Sequence, residues 1–183
     1  MSTMKFTAWQ DLDGNEIANA AYPPGLVLVK SQAIGTAVSS VTVSDVFSSA
    51  FDDYKVMVSG YTASGSTAWL GVRLDASHTS NYYGIADHKI YTGAASTFTA
   101  NNGSYAAVSR NHNDYGKQMA SFEVAQPYTS GVYTMISGVS AGWVGYSVFG
   151  YQVGFSTSFT GFQLFPDSGT LTGGTVRVYG YRN

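Results

Sequence analysis

"SGTLTGGTVRVYGYRN", residues 168–183, is the stretch that decides the fold. Glycines punctuate it. Val176 and Val178 fall on one phase of a two-residue alternation, and Arg177, Tyr179 and Tyr181 fall on the other. Chain ends are usually loose. A strand patterned this fully has a place inside a sheet, so the expectation is a fold that closes on its last strand.

Reading outward from that strand, the β signal continues through most of the chain. "LVLVKS", "VSSVTVSDVF", "DYKVMVSGY", "AWLGVRLD", "QMASFEVA", "VYTMISGVS", "YSVFGYQVGF" and "FTGFQLFPDS" each alternate with period two or run as β-branched and aromatic stretches. In "WLGVRL", Leu70, Val72 and Leu74 share one face, with Trp69, Gly71 and Arg73 on the other. Turn formers such as "ASGS", "NNGS", "NHNDYG" and "PDSG" separate the runs. No 11-residue window has helical spacing with good helix formers. A chain of 183 residues is long enough for one domain with a sizeable core. The expected fold is all-β: a single antiparallel β-sandwich, jelly-roll-like, of about eight or nine strands over residues 25–183. Residues 76–118, polar and rich in Tyr and Asn, read as its irregular part.

Residues 1–24 differ. They hold Asp11, Asp13 and Glu16 and end on the stiff Tyr22-Pro23-Pro24 break. Phe6, Trp9, Leu12, Ile17 and Tyr22 are apolar anchors that a free tail would not need. The segment reads as an extended arm that docks or joins subunits.

Charged residues make up 11% of the chain, under half the usual share of roughly 25%. Ser, Thr, Gly and 14 tyrosines replace them, which gives a surface suited to packing against protein or sugar. The nine Lys and Arg are scattered and the net charge is -2, so no basic face for nucleic acid is expected. With no cysteine, disulfides, thiolate nucleophiles and Cys-ligated metals are excluded. No stretch has the length of a signal-peptide core or of a membrane-spanning helix.

Chemistry-bearing residues are sparse. His78, His88 and His112 are the three histidines and read as surface loop residues. "DLDGNE" at 11–16 superficially resembles a calcium loop but lacks its length and terminal bidentate Glu. Asp75, Asp87, Asp114 and Glu123 form no pair that spacing singles out for glycoside hydrolysis. No catalytic residue, cofactor or metal site is expected. The tyrosines carry more: Tyr82, Tyr83, Tyr91, Tyr105 and Tyr115 stand among Ser, Asn and Gly, a composition that makes broad contacts at low entropic cost. They are the candidate contact surface.

Two segments resemble a known module. "PPGLVLVKSQAIGTAVSSVTVSDVFSSAFDDYKVMVSG" (23–60) and "GFQLFPDSGTLTGGTVRVYGYRN" (161–183) resemble the opening and the closing hairpin of a β-sandwich module of tailed-bacteriophage virion proteins. The resemblance implies a non-enzymatic structural protein. A lone jelly roll with an anchoring arm resembles a capsid decoration (cement) protein, typically a homotrimer, seated on the virion surface after synthesis in the host cytoplasm. The alternatives are a tail fibre or minor tail receptor-binding protein and a carbohydrate-binding module. The partners implied are phage capsid or tail proteins and a host-surface glycan, with neither nucleic acid nor membrane.

Overall fold

A computed structural model describes residues 8–10, 16–19, 25–111, 116–142 and 145–182. Among the described residues there is no helix and every strand pairing is antiparallel. The chain runs through β1 (Ala8–Gln10), β2 (Glu16–Asn19), β3 (Gly25–Ala33), β4 (Val41–Val43), β5 (Asp53–Ala63), β6 (Trp69–Arg73), β7 (Tyr82–Ile90) and β8 (Ala95–Gly103). It continues through β9 (Ala106–Arg110), β10 (Gln118–Ala125), β11 (Thr134–Ala141), β12 (Gly145–Val153), β13 (Phe162–Pro166), β14 (Leu171–Thr172) and β15 (Thr175–Arg182).

β1 and β2 pair with each other. The long sheet has the order β3-β15-β5-β10-β11-β12-β7-β8, with β14 beside β5, and the short sheet has the order β4-β13-β6-β9. From β3 onward the chain alternates between the two: β3, β5, β7–β8, β10–β12 and β15 belong to the long sheet, and β4, β6, β9 and β13 to the short one. That winding makes the molecule a jelly-roll-like β-sandwich, as the sequence pattern predicts.

The core lies between the sheets. In β5, Tyr54, Val56 and Val58 are buried and alternate with half-buried Lys55 and Met57. Phe122 of β10 reaches Phe162 of β13 across the sandwich, ring centroids 6.5 Å apart, and Phe162 stacks on Phe47 at 5.8 Å. The hydroxyl of Tyr54 is satisfied inside the core: it accepts from the Ser48 N–H at 2.7 Å and donates to the Ser48 carbonyl at 2.9 Å. β6 is buried on both faces, because Phe98, Tyr105 and Phe165 cover the side opposite Leu70 and Val72. Lys30 and Gln32 close the corner between β3 and β4 by donating to the Ser44 and Thr42 carbonyls at 2.8 and 3.0 Å.

The closing strand behaves as its pattern requires. β15 lies between β3 and β5, with Val176 and Val178 buried and Arg177, Tyr179 and Tyr181 on the other face.

Residues 76–118 depart from the expected irregularity. They form β7, β8 and β9, which raises the strand number above eight or nine. The reason is chemical: the inward phase of β7 is Tyr82, Gly84, Ala86 and His88, small or amphipathic residues without the β-branched signature of a strand.

Candidate functional site

The long sheet presents two faces. The inner one packs on the short sheet, and the strand registers place the outer one residue by residue. One transverse row of outward residues runs Ile85, Gly150, Ser137, Glu123, Lys55, Tyr179, Leu28. The next runs Asp87, Val148, Val139, Ser121, Met57, Arg177, Ser31. A third runs Lys89, Tyr146, Ala141, Met119, Ser59, Thr175.

Across these rows the chemistry changes sides. Near β5 and β15 the outward groups are polar and engaged. Lys55 Nζ lies 3.0 Å from Glu123 Oε1, and the Tyr181 hydroxyl donates to the same carboxylate oxygen at 2.7 Å. Burial, the hydrogen bond to Glu123 and that carboxylate's charge together push the Tyr181 hydroxyl up to about 12. Near β11 and β12 the outward groups are mostly apolar, with Asp87 and Lys89 of β7 at the margin. Val139, Tyr146 and Val148 are 54%, 51% and 51% exposed, with Ile85, Met119 and Met135 exposed around them.

Within the apolar half a shallow depression of about 310 Å³ lies over Gly150 and Ser137, bordered by Tyr83, Met135 and Gln152. Gly150 makes the hollow. A Cβ there would meet nothing within 4 Å, whereas a Cβ on Gly138 of the adjacent strand would collide with the Ser121 carbonyl. No ionisable carboxylate or amine lines the hollow, so it suits an uncharged, largely apolar group.

The expected contact tyrosines are not brought together. Tyr83 is exposed on the outer face at the rim of the depression, and Tyr91 is 78% exposed in the turn after β7. Tyr82 requires a correction: alternation turns it inward, it is fully buried, and its hydroxyl accepts the Leu74 N–H at 2.8 Å. Burial pushes that hydroxyl up to about 12. Tyr105 is also a structural residue, half-buried with its ring against Phe98 and Phe165 and its hydroxyl 3.3 Å from Asp167 Oδ2. Tyr115 lies outside the described residues, as do Phe6, Leu12 and Tyr22 of the arm, while Trp9 and Ile17 fall on β1 and β2.

His88 is likewise not a surface loop residue. It sits buried on β7, its Nδ1 3.0 Å from Ser147 Oγ and its ring edge-on to Trp69. Asp87, next to it, points to the opposite face and accepts from Thr97 Oγ1 at 2.6 Å. His78 is half-buried against Phe155 and Phe159, and both Asp75 Oδ2 (3.8 Å) and Ser77 Oγ (3.4 Å) approach its Nδ1. A nucleophile–base–acid relay needs its two partners on different ring nitrogens, so these three residues do not form one. Asp75 also borders a second hollow, of about 270 Å³, lined with it by Thr42, Val43 and Ser44 at β4 and by Phe159 and its neighbours before β13. His112 lies outside the described residues.

The apolar outer residues were the ones that sequence reading did not single out. Their signal is a strand apolar on both phases: β12 has Phe149, Tyr151 and Val153 inward and Tyr146 and Val148 outward.

No protein-family model matches the chain, and no curated protein matches it. Among solved structures, that of infectious bursal disease virus, Gx strain, is 10% identical over 97% of this chain and 46% of the other, with a TM-score of 0.14. The chain spans less than half the length of that protein, and a likeness this slight carries no argument.

Proposed function

We propose that this chain is a non-enzymatic structural protein of a bacteriophage virion, a capsid decoration protein whose task is to make contacts on the particle surface. The observation that carries the reading is the uncovered apolar half of the outer face, on a chain with only 11% charged residues. A contiguous apolar patch rimmed by polar groups is what an assembly surface needs.

The arrangement of the two segments that resemble the phage module adds support. Residues 23–60 supply β3, β4 and most of β5, and residues 161–183 supply β13, β14 and β15. Far apart in sequence, they interleave as β3-β15-β5 in one sheet and β4-β13 in the other. The resemblance therefore covers one contiguous block of the fold, and the intervening residues add the strands that carry the apolar face.

In this reading the outer face and the arm seat the protein against shell proteins or sister subunits. The trimer expected from the resemblance would form through the edges at β3 and β8, which among the described residues each pair on one side. Immunogold labelling of the parent phage with antibody to this domain tests it. Label over the head is the expected result. Label at the tail tip would replace decoration with receptor binding, and unlabelled particles would overturn the virion assignment.

A further inference from the structure

We propose that the apolar outer face of the long sheet pairs with the same face of a second copy of this chain, about a two-fold axis passing beside Val148. The inference rests on reading that face as an assembly surface, and it is independent of the virion.

Gly150 is the starting point. Among the described glycines, it alone combines an ordinary backbone with open space around a Cβ: the others have a positive φ or a neighbour within 3.1 Å. Neither the turn geometry nor the packing of the monomer calls for glycine there. A glycine inside a strand weakens it and marks a place where something else comes close.

The occupant is argued from the strand's own pattern. Tyr146, Val148 and Gly150 are successive outward residues of β12, each roughly 7 Å from the next. The order along the strand is therefore a projecting aromatic, an aliphatic and a hollow. A second β12 facing the first and running the opposite way, with the axis at Val148, sets Tyr146 of each copy over Gly150 of the other. The same operation brings the two Val148 side chains together. It does the same for Val139, which is paired with Val148 in the register of β11 and β12. Self-complementarity of this kind is what an isologous interface requires.

The chemistry of the face agrees. Tyr83, Ile85, Met119, Met135, Val139, Tyr146 and Val148 expose on the order of 600 Å² of side chain per copy, near the roughly 800 Å² per partner of a standard interface. Charge is confined to the margins. Glu123 is held by Lys55 on one side; on the other, Asp87, whose carboxylate accepts from the Thr97 hydroxyl, meets its own mate at the rim, with Lys89 of each copy diagonal to that pair.

The native chain has no cysteine, which permits a clean test in the full-length protein. Val148→Cys, Tyr146→Cys and Gly150→Cys are treated at micromolar concentration with a bis-maleimide short enough to span the roughly 10 Å between packed sheets. Val148→Cys should cross-link to itself. Tyr146→Cys should cross-link to a mass-tagged Gly150→Cys at least tenfold better than either does alone. Sedimentation of the cysteine-free protein should show a concentration-dependent dimer contact that Gly150→Leu weakens at least tenfold while the thermal midpoint is held or raised. Trimerisation through sheet edges would leave this cross-linking pattern unchanged. The proposal is overturned if Val148→Cys cross-links no better than Thr99→Cys on the outer side of β8, or if Tyr146→Cys links to itself as well as to Gly150→Cys. Absence of gold on phage particles would bear on the virion reading alone.

Discussion

The two halves of the long sheet's outer face are built on the same ladder and do opposite things. On the half centred on β15 and β5, Lys55 and Tyr181 both bond to Oε1 of Glu123 within the subunit. On the half centred on β11 and β12, Val139, Tyr146 and Val148 expose apolar surface that no other described residue covers. The first half is built mostly from residues 23–60 and 161–183, and the second from the residues between them. A polar network finishes a surface against water, whereas bare aliphatic side chains leave it open to association.

Adjacent tyrosines of β7 provide the harshest test of inside against outside. Tyr82→Ala removes a fully buried ring and the acceptor of the Leu74 N–H, and should destabilise the fold by about 4 kcal/mol. Tyr83→Ala, one residue away on the outer face, should change stability by less than about 0.5 kcal/mol. Chemical denaturation of both variants measures the contrast, and similar losses would break the assignment of faces.

The same tyrosine sets an alkaline limit. Burial raises the Tyr82 hydroxyl from 10.0 to about 12, with the Leu74 hydrogen bond only partly offsetting it. The folded state thus favours the neutral phenol. Its contribution is complete below pH 10 and falls as pH rises toward 12, because the unfolded chain releases the proton first. The loss attributable to Tyr82 is on the order of 3 kcal/mol. Buried Tyr61 and Tyr151, both also shifted upward by desolvation, steepen the decline. Unfolding free energy measured from pH 8 to 12 should fall continuously above pH 10, and a flat profile would contradict the inward placement of these rings.

How much of this was legible in the sequence depends on how each residue announces its surroundings. β15 was legible in full, because Val176 and Val178 alternate with larger polar and aromatic residues and only one phase suits a core. β7 was not, since Gly84, Ala86 and His88 carry no strand signal of their own, and Ala86 and His88 are buried by what covers them. Tyr82 and Tyr83 look alike in sequence, and only the pairing of β7 with β12 fixes which turns inward. The apolar outer face was hidden for a related reason. Strands apolar on both phases read as buried, and nothing in "YSVFGYQV" says that its second apolar phase stays exposed.

In the polar half, Glu123→Gln should cost about 1 kcal/mol, since the pair it breaks is partly exposed. It should also lower the Tyr181 ionisation toward the ordinary range near 10, because the carboxylate's hydrogen bond and charge both help to raise it. Ultraviolet titration of the tyrosines resolves the change as one phenol that ionises earlier than in the parent. An unchanged titration would mean that burial alone holds Tyr181 high.

The smallest effect on stability should come from the apolar half, and it is the most telling. Val139 and Val148 are cross-strand neighbours, so exchanging both for Thr keeps β-branching and shape while adding hydroxyls that water can reach. The folding free energy should shift by no more than about 0.5 kcal/mol, since neither side chain is packed in the core. If the face serves association, the double variant should stay monomeric at concentrations where the parent associates, with thermal midpoints within a few degrees of each other. A large drop in stability would instead show that these residues are covered within the subunit, and the difference between the two halves of the sheet would disappear. Retained stability with lost association locates the contact in side chains whose contribution to the monomer's own fold is nearly nil.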